Sequence, residues 1–197
     1  MTAARTARTA RSDRRAGFTL VELMVVLAII SILVGLSISI LNGKPRAIDL
    51  AHDLSTRLGE ASRKAVAAGA VRSDVALAQG SPVRTHVLID VVAAGGGTLT
   101  TERLEEDPLP AATASWVELV TVALPKSIIV AGTRDAADLT GQGIQTALGD
   151  GDQIEIRCYP DGRCDGKTIY LQTTDHRRQA RVAVLPLGGT PITFDSW

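Results

Sequence analysis

The hydrophobic pattern begins with one long apolar run. Residues 18–41 read FTLVELMVVLAIISILVGLSISIL, and the 19 residues from Leu23 to Leu41 contain neither a charged residue nor a proline. As an α-helix, these 19 residues would measure about 28 Å, which is close to the thickness of the hydrocarbon core of a bilayer. The pattern therefore predicts a membrane-spanning helix over residues 18–41.

A second, amphipathic pattern follows the break at residues 42–45. Small apolar residues recur there with spacings of four and three, while the charged residues fall off this stripe. The stripe consists of Ala47, Ala51, Leu54, Leu58, Ala61, Ala65 and Ala68. This spacing predicts a helical extension over residues 42–70 that packs closely on a sheet, with Gly69 as its C-cap.

Beyond residue 70, apolar and polar residues alternate with the period of two that is typical of strands. The clearest alternations lie in residues 83–91 and 153–158. Further strands are predicted over residues 116–124, 127–130, 168–173, 181–185 and 192–194, completing one antiparallel sheet. The glycine-rich stretches 93–115 and 131–151 are predicted to be long surface loops. The predicted class is α+β, with a β-rich domain over residues 71–197.

Charge is distributed unevenly along the 197 residues. The whole chain has 21 basic and 21 acidic residues, but residues 1–17 contain five arginines and one aspartate. By themselves, these residues could be a basic tail for nucleic acid or anionic lipid. Before an apolar span, they predict a cytoplasmic N-terminus and place everything after Leu41 outside. Residues 18–197 then carry 16 basic against 20 acidic residues, and this negative charge disfavours nucleic-acid binding.

Glu22 interrupts the apolar run one turn into the predicted helix. A carboxylate in hydrocarbon is costly and is by default a candidate for a functional role. It could lie at headgroup level, stabilised by its own helix N-terminus. Alternatively, it could pair with a cation, either the α-amino group of Phe18 after cleavage at Gly17 or a group on a neighbouring molecule.

The string Gly17-Phe18-Thr19-Leu20-Val21-Glu22-Leu23 resembles the class III signal of type IV pilins and type II secretion pseudopilins. The resemblance implies that a prepilin peptidase cuts after Gly17, so that residues 1–17 are a leader, and then methylates the new N-terminus at Phe18. It also implies that Glu22 recruits the subunit into a growing filament. The mid-helix proline usual in major pilins is missing, since the matching stretch reads Gly35-Leu-Ser-Ile-Ser39.

The stretch from Ile154 to Leu171, with its Pro-Asp-Gly turn and Gly-Lys-Thr-Ile-Tyr-Leu ending, resembles a hairpin of the GspH/FimT group of minor pseudopilins. The resemblance implies a subunit of the periplasmic pseudopilus tip, anchored by one pass in the bacterial inner membrane, that drives export of folded proteins. Its expected partners are the prepilin peptidase, other minor and major pseudopilins, the inner-membrane secretion platform and exoprotein substrates. The alternative is a FimT-like minor type IV pilin that acts in pilus assembly or DNA uptake.

Cys158 and Cys164 flank the Pro-Asp-Gly turn. A disulfide between them is allowed if the domain lies in an oxidising compartment, and we favour it over two free thiols. A metal site would need further ligands, and none cluster nearby in the sequence.

Other chemistry has weaker signals. The chain has no G-x-S-x-G, H-E-x-x-H or P-loop motif, and its three histidines show no ligand spacing, so we expect neither an enzyme nor a cofactor. The acidic runs 150–152 and 161–165 hint at calcium, but turn formation also explains them. Arg177, Arg178 and Arg181 are the candidate contacts for DNA phosphates, with Arg177 and Arg181 on one face of a strand. Alternatively, they are charges that protect an edge strand from aggregation.

Overall fold

The computed structural model describes residues 19–41, 46–79, 82–108, 113–188 and 190–197. It divides into two compact units, residues 1–43 and 44–197. The first unit contains helix α1, Leu20–Leu41, whose described side chains are exposed. Among the helices in the described residues, none is both long enough and apolar enough to cross a bilayer. Gly17 and Phe18, the predicted cleavage site, lie outside the described residues.

In the part of the second unit that the structure describes, there are two helices and nine strands. The helices are α2, Ala47–Ala68, and α3, Ser73–Gln79. The strands are β1 Thr85–Val91, β2 Gly97–Glu106, β3 Ala114–Ala123, β4 Ile128–Arg134, β5 Thr146–Ala147, β6 Gln153–Cys158, β7 Lys167–Thr173, β8 Gln179–Val184 and β9 Ile192–Phe194. The sequence pattern predicted neither α3 nor β5.

The strands form two antiparallel sheets rather than the single sheet that we predicted. One sheet has the order β3-β2-β1-β6 and the other has the order β5-β4-β7-β8-β9. The predicted alternation in β6 is observed, because Ile154, Ile156 and Cys158 are buried while the residues between them are exposed. The second unit is therefore built from antiparallel sheets with a long helix, an α+β arrangement.

Helix α2 presents its predicted stripe to the core that the two sheets share. Leu54, Leu58, Ala61 and Ala65 are at most 1% exposed, and they pack with inward residues from both sheets. Alanines let the backbones approach, so that the Thr85 hydroxyl donates to the Ala61 carbonyl oxygen at 2.9 Å. A core of this kind makes Leu→Ala changes at residue 54 or 58 costly, by about 2–5 kcal/mol each.

The prediction of a loop over residues 93–115 is wrong, because it contains all of β2 and the start of β3. The glycines at 95–97 form the hairpin turn from β1 to β2, and Gly97 has a φ of +119°. A Cβ there would lie 2.1 Å from the Asp90 carbonyl oxygen, so the turn requires glycine. The inward positions of β2 include Leu99 and Thr101. Because Thr101 is polar, the inward positions are not all hydrophobic, and the alternation typical of a strand is not recognisable in the sequence.

Candidate functional site

Glu22 lies in the first turn of α1, where it forms a capping box with Thr19. The Glu22 Oε2 atom accepts hydrogen bonds from the Thr19 amide at 2.8 Å and from its hydroxyl at 3.0 Å. The Glu22 amide in turn donates to the Thr19 hydroxyl oxygen at 3.2 Å. This reciprocal arrangement satisfies two amides at the helix start that have no intrahelical partner.

In the isolated chain, the Glu22 carboxylate is engaged in this capping box and so binds the N-terminal end of its own helix. The cation proposed as its partner, the amino group of Phe18, belongs to a residue outside the described part of the chain. Helix capping and the proposed pairing with the Phe18 amine therefore both involve the Glu22 carboxylate. The signal for the capping role, Thr-x-x-Glu, was present in the sequence.

The hairpin between β6 and β7 is held by covalent and polar contacts. The sulfurs of Cys158 and Cys164 are bonded at 2.05 Å. Inside this loop the Tyr159 amide donates to the Arg163 carbonyl oxygen at 2.8 Å, closing the turn. The Ser62 hydroxyl on α2 donates to the Gly162 carbonyl oxygen at 2.9 Å, which ties the turn to the helix.

The carboxylates that hinted at calcium bind protein groups. Asp165 pairs with the Arg157 guanidinium at 2.8 Å and accepts from the Tyr159 hydroxyl at 3.2 Å. Its hydrogen bond and charge raise the pKa of Arg157. Burial, followed by the Asp165 charge, raises the pKa of Tyr159. Asp161 pairs with Arg163 at 2.6 Å. The carboxylates of Asp161 and Asp165 are thus both engaged by protein groups.

The predicted DNA-contact cluster is split by the structure. Arg177 and Arg178 are exposed in the turn between β7 and β8, whereas Arg181 lies in β8 and is only 5% exposed. The Arg181 Nε atom donates to the Asp138 carbonyl oxygen at 3.1 Å, and its guanidinium lies 4.0 Å above the ring of Phe194. The prediction that Arg177 and Arg181 share a strand face is wrong, because β8 starts only at Gln179.

Asp138 is a buried carboxylate that the sequence analysis missed. Its Oδ1 atom accepts from the amides of Thr140, Gly141 and Gln142 at 2.8–3.1 Å. Its Oδ2 atom accepts from the Gly143 amide at 3.2 Å and the Tyr170 hydroxyl at 2.7 Å. Burial by itself would raise the pKa of Asp138, but these hydrogen bonds outweigh it and hold the pKa well below its usual range.

His86 is a second buried polar group outside the predicted sites. Its Nε2 atom lies 2.5 Å from a Glu102 carboxylate oxygen, and its Nδ1 atom lies 3.3 Å from one of Glu155. The imidazole also stacks on the Trp116 ring, with centroids 3.9 Å apart. From β1, the side chain thus contacts residues of β2, β3 and β6, on the face away from α2.

Comparison with known proteins adds one motif. The family model described as the prokaryotic N-terminal methylation motif matches residues 12–38, a range that includes Gly17, Phe18 and Glu22. The minor pseudopilin EpsH from the type 2 secretion system of Vibrio cholerae resembles this chain with a TM-score of 0.46 and 16% sequence identity, over 77% of this chain and 98% of that chain. A search of curated proteins gave no match. Residues 12–38 thus carry the prokaryotic N-terminal methylation motif.

Proposed function

We propose that the chain is a minor pseudopilin of a type II secretion system, a GspH-like structural subunit at the tip of the periplasmic pseudopilus. The observation that carries the proposal is the methylation motif at residues 12–38, which contains Glu22 at the start of a long helix. The Pro-Asp-Gly hairpin between β6 and β7, bonded by Cys158 and Cys164, supports the subgroup. The long helix on antiparallel sheets agrees with such a subunit.

Processing would follow the motif. A prepilin peptidase cuts after Gly17 and methylates Phe18, which separates the arginine-rich leader 1–17 from the rest. Residues 18–41 then anchor the protein in the inner membrane, and residues 42–70 connect the anchor to the domain at 71–197 in the periplasm. The five leader arginines favour this orientation, because positive charge stays on the cytoplasmic side.

Glu22 would serve assembly through its charge. In the apolar interior of a helix bundle, a carboxylate is stabilised only when a cation or hydrogen-bond donors face it. The Thr19 bonds hold the Glu22 carboxylate at the helix start. There it is close in the chain to the amine that cleavage creates at residue 18. There the Glu22 carboxylate would form an amine–carboxylate pair within or between subunits.

The subunit would work with the prepilin peptidase, other minor and major pseudopilins, and the inner-membrane platform, and its β-rich domain would meet partner subunits or exoproteins. A Glu22→Ala variant tests this role. We expect it to insert in the membrane and to be cleaved, but to lose both co-purification with the other pseudopilins and exoprotein secretion.

Glu60→Ala is the matched control, because Glu60 is an exposed glutamate on α2, in the second unit. It should secrete normally in the same strain. Normal secretion by Glu22→Ala at normal protein level would contradict the proposal.

The alternative is a FimT-like minor type IV pilin that acts in pilus assembly or DNA uptake. Exposed Arg177 and Arg178 favour it, but the burial of Arg181 removes one of its three candidate contacts. The excess of acids over bases after residue 17 also opposes it. Loss of DNA uptake in a Arg177→Gln/Arg178→Gln variant, with secretion intact, would favour the alternative.

A further inference from the structure

A basic cavity lies at the end of the second unit where α2 begins. Its volume is about 390 Å³. Three separate segments line it: Arg46 and Ile48 at the start of α2, Arg177 and Arg178 in the turn before β8, and Asp195 after β9. The volume lies in the range of about 300–1,000 Å³ that is usual for small-ligand sites.

The three arginines of this basic cavity have no carboxylate partner among the described residues. Arg46, Arg177 and Arg178 are exposed and form no ion pair within 4.0 Å there. By contrast, Arg57, Arg84 and Arg157 each bind a carboxylate at 2.6–2.8 Å. The cavity therefore concentrates positive charge on a domain whose sequence has more acids than bases.

Nearby carboxylates do not cancel this charge by contact. Asp195 lines the cavity but forms no ion pair in the described structure. The Asp49 carboxylate accepts the backbone amide of Arg46 at 3.0 Å, and Asp175 accepts that of Arg177 at 3.2 Å. These two acids accept backbone amides and form no ion pair with the three guanidinium groups, although the Asp175 charge does act on Arg177. The guanidinium N–H groups stay available for an outside anion.

The position of Arg46, shortly after α1, indicates which anions are within its reach. Arg46 follows the last residue of α1, Leu41, by five residues, and five peptide steps reach at most about 19 Å. If α1 is a membrane anchor, as the proposed function requires, this short connection keeps Arg46 within reach of the headgroup layer. Ile48 adds an apolar wall beside the arginines.

We propose that this basic cavity binds the phosphate headgroup of an anionic phospholipid in the leaflet where α1 ends. Arginine is suited to this ligand, because its planar guanidinium donates two parallel hydrogen bonds to phosphate oxygens. The first amides of α2 add a weak positive field. Each basic residue near an anionic membrane strengthens attraction roughly five-fold, so three give about a hundred-fold. The inference rests on the proposed anchor, and its consequence is a domain held in one orientation on the membrane before assembly.

The test uses the full chain in lipid nanodiscs and amide hydrogen exchange. One set of discs contains phosphatidylcholine alone, and the other also contains phosphatidylglycerol. We expect slower exchange at residues 46–49 and 174–179 in the phosphatidylglycerol discs, with unchanged exchange in the core strand β7. The triple variant Arg46→Gln/Arg177→Gln/Arg178→Gln should lose this protection.

Arg63→Gln is the matched control. Arg63 is an exposed arginine on the same helix, 17 residues further on and so about 25 Å away. This variant should keep the protection.

Each remaining outcome overturns the proposal. Equal exchange in both discs would show no headgroup binding. Protection by inorganic phosphate in phosphatidylcholine discs would assign the cavity to a free anion, and protection by short duplex DNA would assign it to nucleic acid. Failure of the chain to insert in any disc would instead contradict the anchor, and with it the proposed function. If phosphatidylglycerol gives no protection while Glu22→Ala still blocks secretion, the headgroup proposal is overturned but the proposed function is not.

Discussion

The buried carboxylate of Asp138 allows the sharpest prediction about stability. It collects four backbone amides of residues 140–143 and the Tyr170 hydroxyl, so one side chain fixes a loop that has no regular hydrogen bonding of its own. The loop in turn supplies the Asp138 carbonyl oxygen to buried Arg181. Removing the carboxylate therefore disturbs the loop and strand β8 together.

The magnitude follows from the number and kind of these bonds. A hydrogen bond to a charged group contributes about 1.5–3 kcal/mol, but a loop that opens to water recovers part of the loss. We expect Asp138→Ala to lower the free energy of unfolding by about 3–5 kcal/mol. Asp138→Asn keeps one oxygen but turns an amide towards the Gly143 amide, at a cost of about 2 kcal/mol. Tyr170→Phe loses one hydrogen bond, about 1.5 kcal/mol.

The pH dependence has a definite sign. Because the folded-state pKa of Asp138 is below its value of about 3.9 in the unfolded chain, the unfolded state binds more protons in acid. Its contribution is complete above about pH 5, and it is lost as the pH falls through 3.9 towards the folded-state pKa. Below pH 4 the loss is at most about 1.4 kcal/mol per pH unit.

The assay is urea unfolding of the full chain in detergent, followed by tryptophan fluorescence. Trp197 is a suitable reporter, because its ring meets the Tyr170 ring edge-on, with centroids 5.3 Å apart. The stability difference between wild type and Asp138→Asn should shrink between pH 5 and pH 2.5. A difference that does not change with pH, or a cost of Asp138→Ala below about 1 kcal/mol, would refute the reasoning.

Two further changes test the sheet and the hairpin. Replacing Cys158 and Cys164 by serine should cost about 2–3 kcal/mol, since a seven-residue loop loses its closure; equal unfolding midpoints with and without reductant in the wild type would contradict this. His86→Ala removes the stack on Trp116 and two carboxylate contacts, and should cost about 2–3 kcal/mol in the same urea assay. Arg103→Ala, which breaks an exposed pair, should cost under about 1 kcal/mol, and a larger loss there than at His86 would count against the argument.

The sequence was informative wherever one face of an element is purely apolar. The alanine-leucine stripe of α2 and the alternation in β6 are both observed in the structure, because each element buries one face and exposes the other. Register and partner strands could not be predicted, since the pattern does not say which strands pair. The chain divides its strands between two sheets, and α2 packs on both of them.

Polar residues in the interior explain why some features of the structure were not predicted from the sequence. Thr101 in β2 and Arg181 in β8 are both buried, and the Arg181 guanidinium donates to carbonyl oxygens of residues that are distant in the sequence. Arg181 is read as a surface charge in the sequence because its carbonyl partners at Asp138 and Ser196 lie 43 and 15 residues away. Asp138 likewise looks like an ordinary loop aspartate until residues 140–143 fold around it.

The two roles of Glu22 can be separated by one substitution. A capping box accepts glutamine in place of glutamate at its third helical position, because either side chain can accept the Thr19 hydrogen bonds. An amine–carboxylate pair requires the charge, which glutamine lacks. If assembly depends on that pair, Glu22→Gln will keep the N-terminus of α1 helical, as measured by hydrogen exchange of residues 20–24, and will still lose secretion, as Glu22→Ala does.

Thr19→Val is the complementary variant, since it removes the capping hydroxyl and leaves the charge, and it should retain most secretion. Full secretion by Glu22→Gln would show that capping alone is required, and the proposed charge pair would have to be abandoned.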